Sequence, residues 1–242
     1  MADRIAIPLD FQDRCVLLTG AAGNLGRALA AAFAARGAQL ALVDLKREAL
    51  EKAYGAENER RLFAAANLLE QGEVERAVRA ILARFGRIDV LVNVAGGFRM
   101  GEAVHETSDA TWNFLFDLNA RSLLHAVRAV VPHMLAAGGG KVVNIGAFAA
   151  QKGGAQMGAY AAAKSAVIRL TESMAAELRD RNVNVNCVLP TIIDTPENRA
   201  AMPAADPARW VAPADLANVI LFLASDAARA VHGAALPVTG LS

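Results

Sequence analysis

The sequence has few features that would anchor the chain in a membrane, cross-link it or bind a metal. No apolar run approaches the roughly 18 residues needed to cross a bilayer, and the first residues, MADRIAIPLDFQDR, lack the apolar stretch of a signal peptide. Only two cysteines are present, Cys15 and Cys187, and both lie in apolar runs typical of strands. We therefore expect buried thiols, no disulfide, no metal site and a cytoplasmic protein.

Neither sign of charge is in excess. The chain has 25 Lys and Arg against 24 Asp and Glu, a formal net charge of +1, and no basic block. A nucleic-acid or membrane partner is therefore not expected. A length of 242 residues, 55% of them hydrophobic, suffices for one large core but is short for two, so we expect a single domain over residues 1–242.

Short apolar runs alternate with alanine-rich amphipathic stretches along most of the chain. The apolar runs predict strands buried on both faces at 15–18, 40–43, 62–65, 90–92, 142–145 and 183–188, with an edge strand at 234–238. The amphipathic stretches predict helices at 25–36, 70–85, 109–137, 160–181 and 213–223. This alternation indicates an α/β fold, a Rossmann-type doubly wound parallel sheet with helices on both faces.

A glycine-rich loop, TGAAGNLG at 19–26, connects the first strand to the first helix. Glycines allow a tight turn and a close approach of backbone to a pyrophosphate, and the helix N-terminus offers unpaired N–H groups. The sequence therefore predicts a dinucleotide-binding loop, although Asn24 replaces a customary glycine. The residues expected to contact the phosphates are Gly20, Gly23, Asn24, Leu25 and Gly26.

Acidic and polar residues follow the second and third strands. Asp44 ends the second strand, where a carboxylate can bind both ribose hydroxyls of adenosine and repel a 2′-phosphate, which favours NAD over NADP. The neighbouring Lys46 and Arg47 would instead favour NADP, because either could pair with its 2′-phosphate. Asn67 and Leu68 follow the third strand and either cover the adenine or simply end the strand.

Five motifs in order resemble the short-chain dehydrogenase/reductase family over nearly the whole chain. They are TGAAGNLG, NVAG at 93–96, Asn119 in a long helix, Tyr160 with Lys164, and LPTIIDTP at 189–196. The resemblance implies that Tyr160 is the catalytic acid/base, that Lys164 lowers its pKa and holds the nicotinamide ribose, and that Asn119 anchors a proton-relay water. It also implies helix-mediated dimers or tetramers. Further residues expected at the dinucleotide are Asn93, Ala95, Gly96, Pro190, Ile192 and Thr195.

The residue types support these roles independently of the resemblance. A tyrosine with a pKa of ~10 is a poor acid/base at neutral pH, and an ammonium four residues later on the same helix face favours its phenolate. The alternative is an exposed helical pair without a role. For Asn119 the alternative is that its side chain satisfies backbone groups at a helix kink.

One expected catalytic group is missing. The family usually has a serine thirteen residues before the tyrosine, and this chain has Ala147 there, with no Ser or Thr between Ile145 and Ala159. Loss of such a donor costs about 10²–10³ in rate in carbonyl chemistry. Gln151 or Gln156 could donate instead, or each could be an ordinary loop residue.

A narrower resemblance offers a substrate that does not need the serine. LPTIIDTPENRAAMPAADPARW at 189–210, VAGGF at 94–98 and Ala147 resemble quinonoid dihydropteridine reductases, which reduce a conjugated ring with NADH. Three readings follow. The protein is an NAD-dependent reductase of a quinonoid dihydropterin or other conjugated acceptor; or a carbonyl or secondary-alcohol dehydrogenase with a substitute donor; or a non-catalytic dinucleotide-binding scaffold.

The Pro- and Ala-rich segment at 190–212 lies where a substrate lid is expected, after the sixth strand. The partner is then a small-molecule substrate. Phe98, Phe148, Met202 and Trp210 are candidates to line an apolar pocket, and packing is their alternative role.

Overall fold

A computed structural model describes residues 9–242 and contains one seven-stranded sheet in the order β3-β2-β1-β4-β5-β6-β7. All neighbouring strands are parallel. The strands are β1 (Cys15–Thr19), β2 (Gln39–Asp44), β3 (Arg61–Ala65), β4 (Val90–Asn93), β5 (Gly140–Ile145), β6 (Val183–Pro190) and β7 (Ala235–Val238). The predicted Rossmann-type parallel sheet is confirmed, including β7 at its edge.

Among residues 9–242, eight α-helices connect or flank the strands. They are α1 (Asn24–Ala34), α2 (Arg47–Tyr54), α3 (Gln71–Phe85), α4 (Asp109–Phe116), α5 (Ser122–Ala136), α6 (Gly158–Leu178), α7 (Pro196–Ala201) and α8 (Pro213–Ala224). In the part of the chain that the structure describes, no helix is both long enough and apolar enough to span a bilayer.

Apolar cores lie on both faces of the sheet. On one face, the buried side chains of α1 and α8 pack together and against β1, β2 and β4, with Phe33 and Leu216 fully buried. On the other face, α3, α5 and α6 cover the sheet, with Ile81 and Met134 fully buried. Cys15 and Cys187 belong to this second core, as predicted, and burial raises the pKa of their thiols to about 12 and about 11.

The strand order reverses direction between β1 and β4, which places a crevice at the carboxyl ends of these two strands. Thr19, the last residue of β1, holds the two connections together there. Its Oγ1 accepts hydrogen bonds from the backbone N–H groups of Val94 at 3.0 Å and Ala95 at 3.2 Å. The glycine-rich loop and the chain after β4 therefore meet at the crevice.

The helix predicted at 109–137 is interrupted. Residues Asp117–Arg121 form a π-helical segment between α4 and α5, and Asn119 lies in its middle. The periodicity of the sequence did not predict this break because the backbone stays helical from α4 through the π-helical segment into α5. The short helices α2 and α7 were also not predicted, although Thr195 followed by Pro196 is a recognisable helix start.

Candidate active site

The glycine-rich loop packs too closely against its surroundings to carry side chains at two positions. Gly20 has φ +60°, and a Cβ built there would lie 2.9 Å from the backbone N and Cα of Ala95. A Cβ on Gly26 would lie 2.5 Å from the carbonyl oxygen of Gly20. Gly23 is the N-cap of α1, so the helix's unpaired N–H groups lie beside the loop. This cradle has the form that a dinucleotide pyrophosphate requires.

Asn24 and Leu25 form the first turn of α1, with Leu25 buried in the core. Asn24 is helical, so it does not replace a glycine at a positive φ. Its side chain bridges two charged residues. Asn24 Nδ2 donates to Glu197 Oε2 at 2.6 Å, and Arg27 donates to Asn24 Oδ1 at 2.6 Å.

Asp44 lies at the carboxyl end of β2 and is fixed against the glycine-rich loop. Its two carboxylate oxygens accept hydrogen bonds from the N–H groups of Ala22 at 2.9 Å and Leu45 at 2.8 Å. Each oxygen has a second acceptor position, so two further hydroxyls can still be bound. The nearby Arg47 is paired with Glu51 at 3.0 Å and Glu57 at 2.7 Å, which engages it away from a phosphate.

Asn67 and Leu68 lie just beyond β3 and are held mainly by local contacts. Asn67 Oδ1 accepts from Leu69 N at 3.0 Å, and Asn67 N donates to Glu73 at 2.8 Å. The carbonyl of Leu68 bonds to Nδ1 of His125 at 2.8 Å. These contacts organise the strand terminus, and the adenine-contact role stays a prediction.

Asn93 points into the sheet and not into the crevice. It is 4% exposed, and its Nδ2 donates to Asn144 Oδ1 at 2.9 Å, while Asn144 in turn donates to Thr171. Its Oδ1 is buried without a hydrogen-bond partner among the described residues. The side chain therefore links β4 to β5, and only the following backbone, at Ala95 and Gly96, borders the crevice.

Gly96, Asn119 and Lys164 converge at one point. A Cβ on Gly96 would lie 2.8 Å from Asn119 Oδ1 and 3.3 Å from Lys164 Nζ. Asn119 is held by three hydrogen bonds: Nδ2 donates to the carbonyls of Leu115 at 2.8 Å and Gly97 at 2.9 Å, and Oδ1 accepts from Gly97 N at 3.1 Å. The side chain therefore does satisfy backbone groups at the π segment, and it also lies beside the lysine.

Tyr160 and Lys164 lie one turn apart on α6, and the lowering of the tyrosine's pKa by the lysine stays a prediction. Burial raises the pKa of Tyr160 to about 12. Burial also lowers the pKa of Lys164 to about 8, and its Nζ donates to the carbonyl of Ile145 at 2.8 Å. Desolvation is the main cause of both pKa shifts. The Tyr160 ring contacts Phe98 edge-on, with centroids 4.8 Å apart.

Ala147 lies directly beyond β5, buried and in an extended conformation. Residues Phe148–Ala150 then form a 3₁₀ turn, with the Phe148 side chain 41% exposed. The methyl group of Ala147 leaves no hydroxyl at this position.

The segment after β6 contacts the glycine-rich loop at one end and the core at the other. Pro190 is the last residue of β6, the carbonyl of Ile192 accepts from Val211 N at 2.9 Å, and Thr195 Oγ1 caps α7 by accepting from Asn198 N at 3.2 Å. Trp210 is buried and Met202 half-buried, so packing is the observed role of Trp210.

Two groups of site residues were not anticipated. Glu197 in α7 reaches Asn24, and Glu102 accepts hydrogen bonds from Ser108 N at 3.0 Å and Thr111 Oγ1 at 2.9 Å. Arg99 lies over the Phe114 ring at 4.4 Å. The start of α4 at Asp109 was predicted, and the N-cap signal of Thr195 could have located the start of α7. Glu102 bonds to residues six and nine positions later in the chain, whereas the contact of Glu197 with Asn24 joins distant parts of the sequence.

Comparison with known proteins gives consistent matches over nearly the whole chain. Residues 14–205 match the family model described as short chain dehydrogenase. D-Threitol dehydrogenase of Mycolicibacterium smegmatis is 35% identical, over 99% of this chain and 97% of that protein. The 2-(R)-hydroxypropyl-CoM dehydrogenase of Xanthobacter autotrophicus is also 35% identical, over 94% and 97%. The structure of carveol dehydrogenase from Mycobacterium avium in complex with NAD aligns with a TM-score of 0.86 at 28% identity, over 95% and 97%.

Proposed function

This chain belongs to the short-chain dehydrogenase/reductase family, as an oxidoreductase, and we propose that it interconverts a secondary alcohol and a ketone with NAD. The observation that carries the proposal is the convergence of Asn119 and Lys164 beside Gly96, with Tyr160 one helical turn before the lysine on α6. The similar proteins named above are dehydrogenases whose names specify alcohols. A dinucleotide-binding scaffold without turnover is not favoured, because the tyrosine and lysine are both in place.

The chain's own residues fit a nicotinamide dinucleotide. Gly20, Gly23 and the first turn of α1 would hold the pyrophosphate, and Asp44 would bind the adenosine ribose. The fixed Asp44 carboxylate and the paired state of Arg47 favour NAD over NADP. Bound at this site, the nicotinamide ring supplies or accepts a hydride.

In the reducing direction, Tyr160 donates its phenolic proton to the carbonyl oxygen while the carbonyl carbon receives the hydride. The alcohol leaves, and the tyrosinate regains a proton from solvent. Lys164 Nζ already donates to Ile145 O and has two further donors, which can hold a ribose hydroxyl and stabilise the tyrosinate. Asn119 Oδ1 retains one acceptor position, which can hold a relay water.

A second candidate function rests on Ala147. Reduction of a quinonoid dihydropterin, or of another conjugated acceptor, places the proton on a ring nitrogen and needs no hydroxyl donor at position 147. The missing serine is thus consistent with that substrate class. The proposal for a ketone or secondary alcohol instead requires a substitute donor.

The segment 190–212 is proposed as the substrate lid, because α7 connects the end of β6 to the glycine-rich loop through Glu197. A homo-oligomer, dimer or tetramer, is also proposed. Trp112, Phe114 and Val104 are 46%, 37% and 75% exposed near α4, an apolar surface suited to a second copy of the chain. Sedimentation velocity tests this, and a monomer at micromolar concentration would contradict it.

The function is tested by following NADH absorbance with three substrate sets: cyclic ketones, polyols with NAD⁺, and quinonoid dihydropterin generated in situ. Native protein and Tyr160→Phe are compared in each. Turnover of ketones or polyols that the substitution abolishes supports the main proposal. Turnover of the dihydropterin alone supports the second candidate. NADH binding without turnover of any of the three would contradict both.

A further inference from the structure

Gln156 has a backbone conformation that its residue type does not favour. Its φ is +60°, and the other non-glycine residues with positive φ among residues 9–242 are Asp13 and Asn182, types that tolerate this region better. Such a conformation is strained and persists where neighbours impose it. Here Gly101 N donates to the carbonyl of Gln156 at 2.9 Å. The loop after β4 thus fixes Gln156 immediately before Met157, the N-cap of α6.

Gln156 lines the same small cavity as Tyr160. The cavity has a volume of about 10 Å³, and its wall also includes Arg99, Thr107 and Thr111. The two threonine hydroxyls are already used as donors: Thr107 Oγ1 donates to Ala103 O at 3.1 Å, and Thr111 Oγ1 donates to Glu102 at 2.9 Å. A substrate oxygen beside Tyr160 therefore cannot take a hydroxyl donor from this wall without breaking an existing bond.

The side-chain amide of Gln156, by contrast, makes no hydrogen bond to any of the described residues 9–242. It is exposed at the cavity wall, so water occupies its donors until a ligand replaces it. Arg99, the other donor in the wall, is held over the Phe114 ring and 3.4 Å from Thr111 Oγ1. Apart from Tyr160 itself, Gln156 is thus the neutral side-chain donor of the wall that makes no hydrogen bond among residues 9–242.

Gln151 is the natural comparison. It is also an exposed glutamine in the loop between Ala147 and α6, but it ends the 3₁₀ turn at negative φ and is not part of the cavity wall. The structure therefore distinguishes the two glutamines that could replace the missing serine: Gln156 lines the cavity and Gln151 does not.

We propose that Gln156 Nε2 donates a hydrogen bond to the substrate oxygen that exchanges a proton with Tyr160, and so takes the role a serine at position 147 would have. This rests on the proposed alcohol–ketone function. In this proposal the hydrogen bond from Gly101 holds the strained backbone of Gln156. The side-chain amide, which has no other partner among residues 9–242, is then positioned to donate to the substrate oxygen. Such a donor is worth about 10²–10³ in rate.

The test uses three variants of the full-length protein with the ketone or alcohol that the native enzyme turns over best. Gln156→Gly removes the amide but relieves the backbone, since glycine favours φ +60°. Gln156→Glu keeps the shape and replaces the donor by an acceptor. Gln151→Gly is the matched control. We expect both Gln156 variants to lose about 10²-fold in kcat/KM, with NADH affinity unchanged, and the control to stay within twofold of native.

The outcomes separate this inference from the function on which it rests. A Gln156→Gly enzyme as active as the native one would show that only the backbone matters, and would overturn the donor role. Equal losses in Gln156→Gly and Gln151→Gly would overturn it as well. Absence of native turnover overturns the proposed function itself, whereas native activity that Tyr160→Phe abolishes keeps that function whatever Gln156 does.

Discussion

At the residue scale, Lys164 is the clearest case in which a residue placed for its proposed function lowers the stability of the folded protein. Its ammonium is 6% exposed, and burial lowers its pKa from 10.5 to about 8. Between these two pH values the unfolded chain binds more protons than the folded one, so this group makes stability rise with pH. Below pH 8 the lysine is charged in both states, and burying the charge carries its full cost.

Lys164→Met should therefore stabilise the protein without dinucleotide at pH 7, by on the order of 3 kcal/mol. The advantage should shrink as the pH rises from 8 to 10.5, because the native lysine is then buried in its neutral form. Urea unfolding of both proteins at pH 7 and pH 10 measures the difference between their free energies of unfolding. The contributions of the other titrating groups are the same in both proteins and drop out of that difference. Exposed Lys152→Met is the control, and a stability gap that does not change with pH would contradict the account.

Asp44 gives a second residue-scale prediction, on cofactor choice. Asp44→Asn removes the charge and one of the acceptors that would bind the ribose, so NADH affinity should fall about tenfold while NADPH affinity changes less. Fluorescence titration with both dinucleotides measures the ratio, and the exposed Asp180→Asn is the control. A preference for NADH that survives the substitution would remove Asp44 from the recognition of the ribose.

At the element scale, the π segment between α4 and α5 depends on Asn119. The side chain bonds to the backbone of Gly97 and Leu115, so it joins the chain after β4 to the interrupted helix. The same geometry brings Asn119 next to Lys164. A structural role and a proposed catalytic role thus fall on one residue, and a measurement of stability isolates the structural part.

Asn119→Ala removes the three hydrogen bonds that the side chain makes to backbone groups of Gly97 and Leu115, and should lower the free energy of unfolding by about 2–4 kcal/mol. Ser122→Ala in the same helix is the matched control. Its hydroxyl only donates back to Leu118 O at 2.7 Å, and its loss should cost less than about 1 kcal/mol. Urea denaturation measures both, and equal costs would mean that Asn119 does not support the π segment.

The short helix α7 provides an element-scale prediction on binding. Glu197 places a negative charge against Asn24, beside the cradle proposed for the pyrophosphate. Glu197→Gln keeps an acceptor for Asn24 Nδ2 and removes the repulsion, so NADH should bind roughly fivefold more tightly at low salt. The gain should diminish at high salt because the charges are then screened.

Isothermal titration of NADH with native protein, Glu197→Gln and the distant control Glu177→Gln measures this effect. Equal gains in the two variants would point to overall charge and not to the contact with Asn24. An unchanged affinity in Glu197→Gln would mean that α7 moves away from the glycine-rich loop when the dinucleotide binds.

At the scale of the whole molecule, the fold could be read from the sequence because the parallel strands are buried on both faces. Apolar runs such as those of β1 and of residues 40–43 in β2 are continuous, so they can be recognised without knowing which strands lie beside them. The glycine-rich loop and the Tyr160–Lys164 pair were visible for a similar reason, since each is a local pattern. The interruption at Asp117–Arg121 was not, because its stabilising partner, Gly97, is distant in sequence.

Within the site, too, local patterns could be predicted from the sequence and contacts between distant residues could not. Glu197 contacts Asn24, which lies 173 positions earlier in the chain, and no local sequence pattern predicts such a contact. The pKa values of Tyr160 and Lys164 could not be predicted either, because spacing on a helix gives their proximity but not their burial. Gln156 was one of two open alternatives until its backbone conformation and the shared cavity separated it from Gln151.

The central claim is that Tyr160 and its neighbours form the site of hydride transfer between NAD and a substrate. The most direct measurement is a single turnover with NADH deuterated at the nicotinamide C4, followed by mass spectrometry of the product. The account predicts one deuterium on the reduced carbon with native protein, and at least about a hundredfold slower transfer with Tyr160→Phe. Tight NADH binding without transfer of deuterium to any acceptor in the panel would contradict it.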